Sequence, residues 1–162
     1  MKCLLWFLVQ LVLATTILLF AALASWYEGS AILDNSWEWN YSTPFSQLFH
    51  VEIQNTNQIS QLDHFVYAAK FQPTFPLIMM ISGLYLLLLI GYQLFKSHKR
   101  RFVYLLSILA GTLFILSYSV RNSPTTGGQI FFYFGLLSGI LCITGVVIIY
   151  FIFKRSAKEL IG

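Results

Sequence analysis

The chain has 162 residues, of which 57% are hydrophobic, 17% aromatic and only 10% charged. A soluble domain carries about 25% charged residues, so this composition excludes an ordinary soluble enzyme, a nucleic-acid-binding domain and a disordered chain. The formal charge of +4 marks no basic binding surface, because the basic residues are sorted by their position along the chain.

Four stretches, 4–25, 77–95, 102–120 and 129–153, reach the roughly 20 residues a helix needs to cross a hydrocarbon core. None of them contains Asp, Glu, Lys, Arg or His. Their apolar character is continuous, not alternating, which predicts helices and excludes a β-barrel. The first stretch ends in Ala22-Leu23-Ala24, the small-x-small form of a signal-peptidase site. Its apolar run exceeds the 7–15 residues of a signal-peptide core, so retention as a span is the expectation. Cys3 precedes this run, unlike a lipoprotein cysteine, and Cys142 lies mid-span, too far in depth for a disulfide with it.

Residues 26–75 separate the first two spans, and a structureless loop of that length is unusual. Ser36–Tyr41 alternates, placing Trp37, Trp39 and Tyr41 on one face of a predicted strand, with Ala31–Leu33 as its hairpin partner. Leu48–Ile53 alternates as well, with Phe49, Val51 and Ile53 opposite His50 and Glu52. Asn55–Asn57 reads as a turn and helix start. Ile59, Leu62, Phe65, Val66 and Ala69 follow at helical period, until Pro73 and Pro76 end the element. The aromatic rows fit a headgroup-level belt or the segment's own core, and they are also the candidate partner-binding surface.

The short connections 96–101 and 121–128 make spans two to four consecutive antiparallel hairpins. Small residues permit close helix approach in lipid. On span four, Gly128, Gly135, Gly139 and Cys142 share a face. Ser107 and Gly111 on span three, Ala14, Ala21 and Ser25 on span one, and Gly83 on span two offer matching positions. Gly135, Gly139, Ser107 and Gly111 are therefore the expected helix-packing residues, within the chain or, as the alternative, in a homo-oligomer. Lys2, Lys96, Lys99, Arg100, Arg101, Lys154, Arg155 and Lys158 all fall on one side of the spans. Five acids and only two bases fall on the other, so the positive-inside rule puts both termini in the cytoplasm.

Ser25-Trp-Tyr-Glu-Gly-Ser30, Trp37-Glu-Trp-Asn-Tyr-Ser-Thr43 and Tyr67-Ala-Ala-Lys-Phe71 running into Pro76 carry a resemblance. The chain resembles a family of small uncharacterised four-span membrane proteins, a domain of unknown function of endospore-forming Gram-positive bacteria. The resemblance implies a bacterial plasma membrane and brings no catalytic residues. Claudin-like four-span proteins are similar in architecture only, since their cysteine pair is missing here.

Catalytic patterns find little support. No C-x-x-C is present for thiol–disulfide chemistry, and no ionisable residue lies inside a span to mark a proton or ion pathway. His50, Glu52 and His64 are the candidates weighed for a metal site, and with Asp63 for a general-base pair. The separation of His50 from His64 fits no standard ligand pattern, and solvated surface positions explain these residues equally well. No metal and no cofactor is therefore expected. The reading is an all-α membrane protein, one integral domain over residues 1–162. It is a four-transmembrane-helix bundle with a small mixed α/β extracellular cap at 26–75. The expected function is non-catalytic, an accessory, sensory-partner or self-protection protein that meets the lipid bilayer and another membrane or extracellular protein, not nucleic acid. A small oligomeric transporter or channel is the alternative.

Overall fold

A computed structural model describes the backbone of residues 2–48 and 53–159 and the side chains of 4–48 and 53–151. Among the described residues every regular element is helical. Helix α1 runs Lys2–Gly29, α5 Thr74–Phe95, α6 Lys99–Val120 and α7 Thr126–Glu159. Four helices are long and apolar enough to cross a membrane. Each extends beyond the stretch expected from hydropathy. Pro76 falls in the first turn of α5, where the missing N–H has no intrahelical partner to lose. Span hydroxyls are satisfied locally: Thr15, Thr16, Ser25 and Ser82 each donate to a carbonyl one turn back, as apolar surroundings require.

The connection between α1 and α5 folds as short helical pieces. Two 3-10 turns, Ser30–Asp34 and Ser36–Glu38, lead into α2 (Trp39–Ser42) and α3 (Pro44–Gln47), and a third covers Thr56–Gln58. The longest piece is α4, Gln61–Phe71. The expected mixed α/β cap is thus corrected, since neither Ala31–Leu33 nor Ser36–Tyr41 is extended. Their aromatic alternation follows a helical turn. Trp37 and Tyr41, four apart, share one side, while Trp39 points the other way and donates its indole N–H to the Ile32 carbonyl at 2.9 Å. Of the second expected strand, 49–52 lie outside the described residues, and Ile53 sits in irregular chain.

Two compact units make up the chain. The first holds Met1–Leu87 with Pro124–Gly128. In it α1 buries the small stripe Ala14, Ala21 and Ser25, a Cβ added at Gly83 would stand 3.9 Å from the Leu18 side chain, and Phe20 meets Phe75 edge-on at 6.0 Å. Ile32, Ile53 and Ile59 form a small core under Trp39 and Tyr67. The second unit holds Leu88–Ser123 with Gln129–Gly162. There α6 buries Leu106, Ala110, Leu113 and Ser117 along one stripe, and α7 buries Ser138 and Cys142. The Ser117 hydroxyl donates to the Phe132 carbonyl at 2.8 Å, a hydrogen bond between the two helices.

Candidate functional site

The polar chemistry of the first unit collects around α4. Ser60 is its N-cap, accepting from the Leu62 N–H at 3.3 Å, the role short hydroxyl side chains fill at orphaned first-turn donors. Three residues on, Asp63 is fully buried. Its carboxylate accepts from the N–H groups of Phe45 and Ser46, both at 2.9 Å, and from the Ser46 hydroxyl. Ser46 in turn accepts from the Ser60 N–H at 2.6 Å. Asp63 therefore closes the first turn of α3, a helix too short to hold itself together. Its oxygens are taken by structure.

His64 faces α1. It is 2% exposed, its ring lies 6.0 Å from that of Trp26, and neither ring nitrogen has a hydrogen-bond partner. Burial pushes the imidazole below its ordinary value, against the charge of Asp63 and the Trp26 backbone, which act to raise it. It is a neutral packing group near pH 7. Trp26 also donates its indole N–H to the Gln61 side chain at 2.6 Å, tying the first residue of α4 to the end of α1.

The backbones themselves touch here. A Cβ on Gly29 would stand 2.8 Å from the His64 Cα and closer still to its carbonyl group. A Cβ on Gly127, in the first turn of α7, would stand 2.7 Å from the Lys70 carbonyl oxygen and closer to that of Ala69. Two glycines therefore clamp α4. Gly29 continues the α1 stripe one turn past Ser25, a signal present in the sequence but not read there.

At the other end of α4, Lys70 donates to Ser42 at 2.7 Å, to the Tyr41 carbonyl at 3.2 Å and to Glu38 at 3.3 Å. Glu38 also accepts from Ser42 at 2.7 Å. That hydrogen bond, with the Lys70 charge, lowers the Glu38 carboxyl despite a desolvation penalty. The Gln72 amide, oriented with its nitrogen toward Glu28, donates to both carboxylate oxygens at 3.1 and 3.3 Å. The Glu38–Ser42–Lys70 cluster escaped the sequence reading, because Lys70 lies 32 residues from Glu38 and 28 from Ser42, with no pattern linking them.

The residues singled out from sequence separate. Trp37 and Tyr41 are 88% and 79% exposed, whereas Trp39 is half-buried against the isoleucine core. His50 and Glu52 lie outside the described residues, and no group of three or more His, Cys, Asp or Glu side chains converges among those described. Gly135 and Gly139 of α7 lie against α6, a Cβ there meeting the Leu113 carbonyl oxygen at 3.0 Å and the Phe114 ring at 2.9 Å. Ser107 and Gly111 occupy an exposed side of α6, with nothing within 4 Å of a Gly111 Cβ.

A Bacillus subtilis (strain 168) protein printed as "Uncharacterized protein YjdJ" is 40% identical over 81 residues, 49% of this chain and 74% of the relative. No solved structure matches the chain. A family described as a domain of unknown function (DUF4306) matches residues 8–95, a stretch that holds the whole α1–α5 connection with Gly29, Trp37, Asp63 and His64. The chain belongs to this DUF4306 family.

Proposed function

We propose that this is a non-catalytic protein of the bacterial plasma membrane that binds another membrane or extracellular protein through the α1–α5 connection. It serves as an accessory, sensory-partner or self-protection protein. The basic residues Lys2, Lys96, Lys99, Arg100, Arg101, Lys154, Arg155 and Lys158 support cytoplasmic termini by the positive-inside rule, and with them an external connection. One observation carries the binding reading. Asp63 is spent on α3 and Lys70 on Glu38, while Trp37 and Tyr41 project from one helical side, almost wholly exposed. Exposed aromatic pairs of this kind supply anchor residues at protein interfaces.

The test is crosslinking and mass spectrometry on protein extracted in mild detergent, comparing wild type with a Trp37→Ala/Tyr41→Ala double variant. Both side chains are so exposed that truncation leaves insertion and folding intact. A stoichiometric partner that disappears in the variant is the expected result. A partner held equally by both proteins, or self-crosslinks alone, contradicts the proposal.

A further inference from the structure

Helix α4 buries an acid and an imidazole. Its inward side carries Asp63 and His64 together with Ala68, and Tyr67 against the isoleucine core, and its opposite side carries Leu62, Phe65, Val66 and Ala69. Leu62, at the centre of that side, is 53% exposed, and the other three are half-buried. In water a surface helix turns its charged residues out and keeps its apolar residues to the inward side. An outward apolar side on a helix whose acid and imidazole are turned inward fits surroundings less polar than water.

The position of α4 says which surroundings. Its backbone touches the end of α1 at Gly29 and the first turn of α7 at Gly127. Only Gln72 and Pro73 separate it from α5, and two residues reach no further than about 7 Å. The helix is thus held across the ends of three spanning helices, at the level where hydrocarbon gives way to headgroups. Trp26, at the α1 end of this junction, is partly exposed and keeps its indole N–H hydrogen-bonded, the habit of interfacial tryptophans.

We propose that α4 is an interfacial helix, its Leu62, Phe65, Val66 and Ala69 side seated at the headgroup–acyl boundary of the bilayer its neighbouring spans cross. The surface is separate from Trp37 and Tyr41 and does not depend on a protein partner. Nitroxide labels on Leu62→Cys and, separately, Val66→Cys test it, in a Cys3→Ser/Cys142→Ser background reconstituted into phosphatidylglycerol–phosphatidylethanolamine vesicles. Trp37→Cys serves as the comparison site, and each label is read on its own. The expected result is collision with dissolved oxygen favoured over a water-soluble nickel chelate at 62 and 66, and the reverse at 37. Nickel access at 62 and 66 matching that at 37 overturns the proposal, because the side then faces water. Exclusion of both reagents overturns it too, because protein then covers the side.

Discussion

Glycine lets backbones approach in two places, and the neighbours differ. At Gly29 an added Cβ runs into the His64 carbonyl within α4, and at Gly127 into the Ala69 and Lys70 carbonyls of its last turn, backbone groups that cannot turn aside. At Gly139 it meets only the Phe114 ring, which can turn aside. The α6–α7 pair is an ordinary small-residue helix contact in lipid. Around α4 the same device locks a polar segment, with buried Asp63 and His64, onto the end of a span. A glycine's importance thus follows from what faces it, not from the glycine motif it belongs to.

Gly29→Ala and Gly127→Ala should have the largest effects. Each requires the α4 backbone to move, at a cost of about 3 kcal/mol, the upper range for overpacking. Limited proteolysis in detergent should show cleavage between residues 30 and 72 in the variants well before wild type. Asp63→Ala comes next, at about 2–3 kcal/mol, since it strands two backbone N–H groups of α3 and a serine hydroxyl. Asp63→Asn, which keeps one acceptor oxygen, should recover part of this in the same assay. In the second unit, Gly135→Ala should cost about 1–2 kcal/mol and Gly139→Ala less, read as thermal stability in detergent. Gly111→Ala should leave it unchanged, because the position is open. If Gly139→Ala proved as damaging as Gly29→Ala, the distinction between fixed and yielding neighbours would fail.

A change of pH should also act on this region. The folded His64 value lies below its ordinary 6.5, so the unfolded chain binds more protons as the pH falls through that value. Stability contributed by neutral His64 is therefore complete above about pH 6.5 and declines below it until the folded value is reached. The slope is at most about 1.4 kcal/mol per pH unit. His64→Phe should flatten this part of the profile, measured as protease protection of α4 between pH 7 and 5.

The spans were legible because about 20 consecutive apolar residues admit one reading in a membrane protein. The turn at Asn55 was also legible, and a capping box with Gln58 stands there, but the helix itself starts only at Gln61, behind its Ser60 cap. The strands failed for a definite reason. Residues 37, 39 and 41 share a face in a strand, but in a helix 39 turns to the opposite side. Five residues are too few to separate the two periods. The period of α4 was readable and its burial was not. Apolar residues at 62, 65, 66 and 69 marked a helical period but not which side is buried; Asp63 and His64 turn inward because Asp63 has α3 to cap and Gly29 admits the His64 backbone. Both partners are tertiary and lie far from α4 in the sequence. The Glu38–Lys70 pairing was hidden for the same reason.

The central claim is that the α1–α5 connection is a folded helical cap locked to α1 through Gly29. Hydrogen–deuterium exchange in lipid nanodiscs, wild type beside Gly29→Ala, tests it most directly. The account predicts slow exchange of the α4 amides from Phe65 to Phe71 in wild type and its loss in the variant, with α6 protected in both. Rapid exchange of those amides in the wild-type protein, or equal protection in the two proteins, would contradict it.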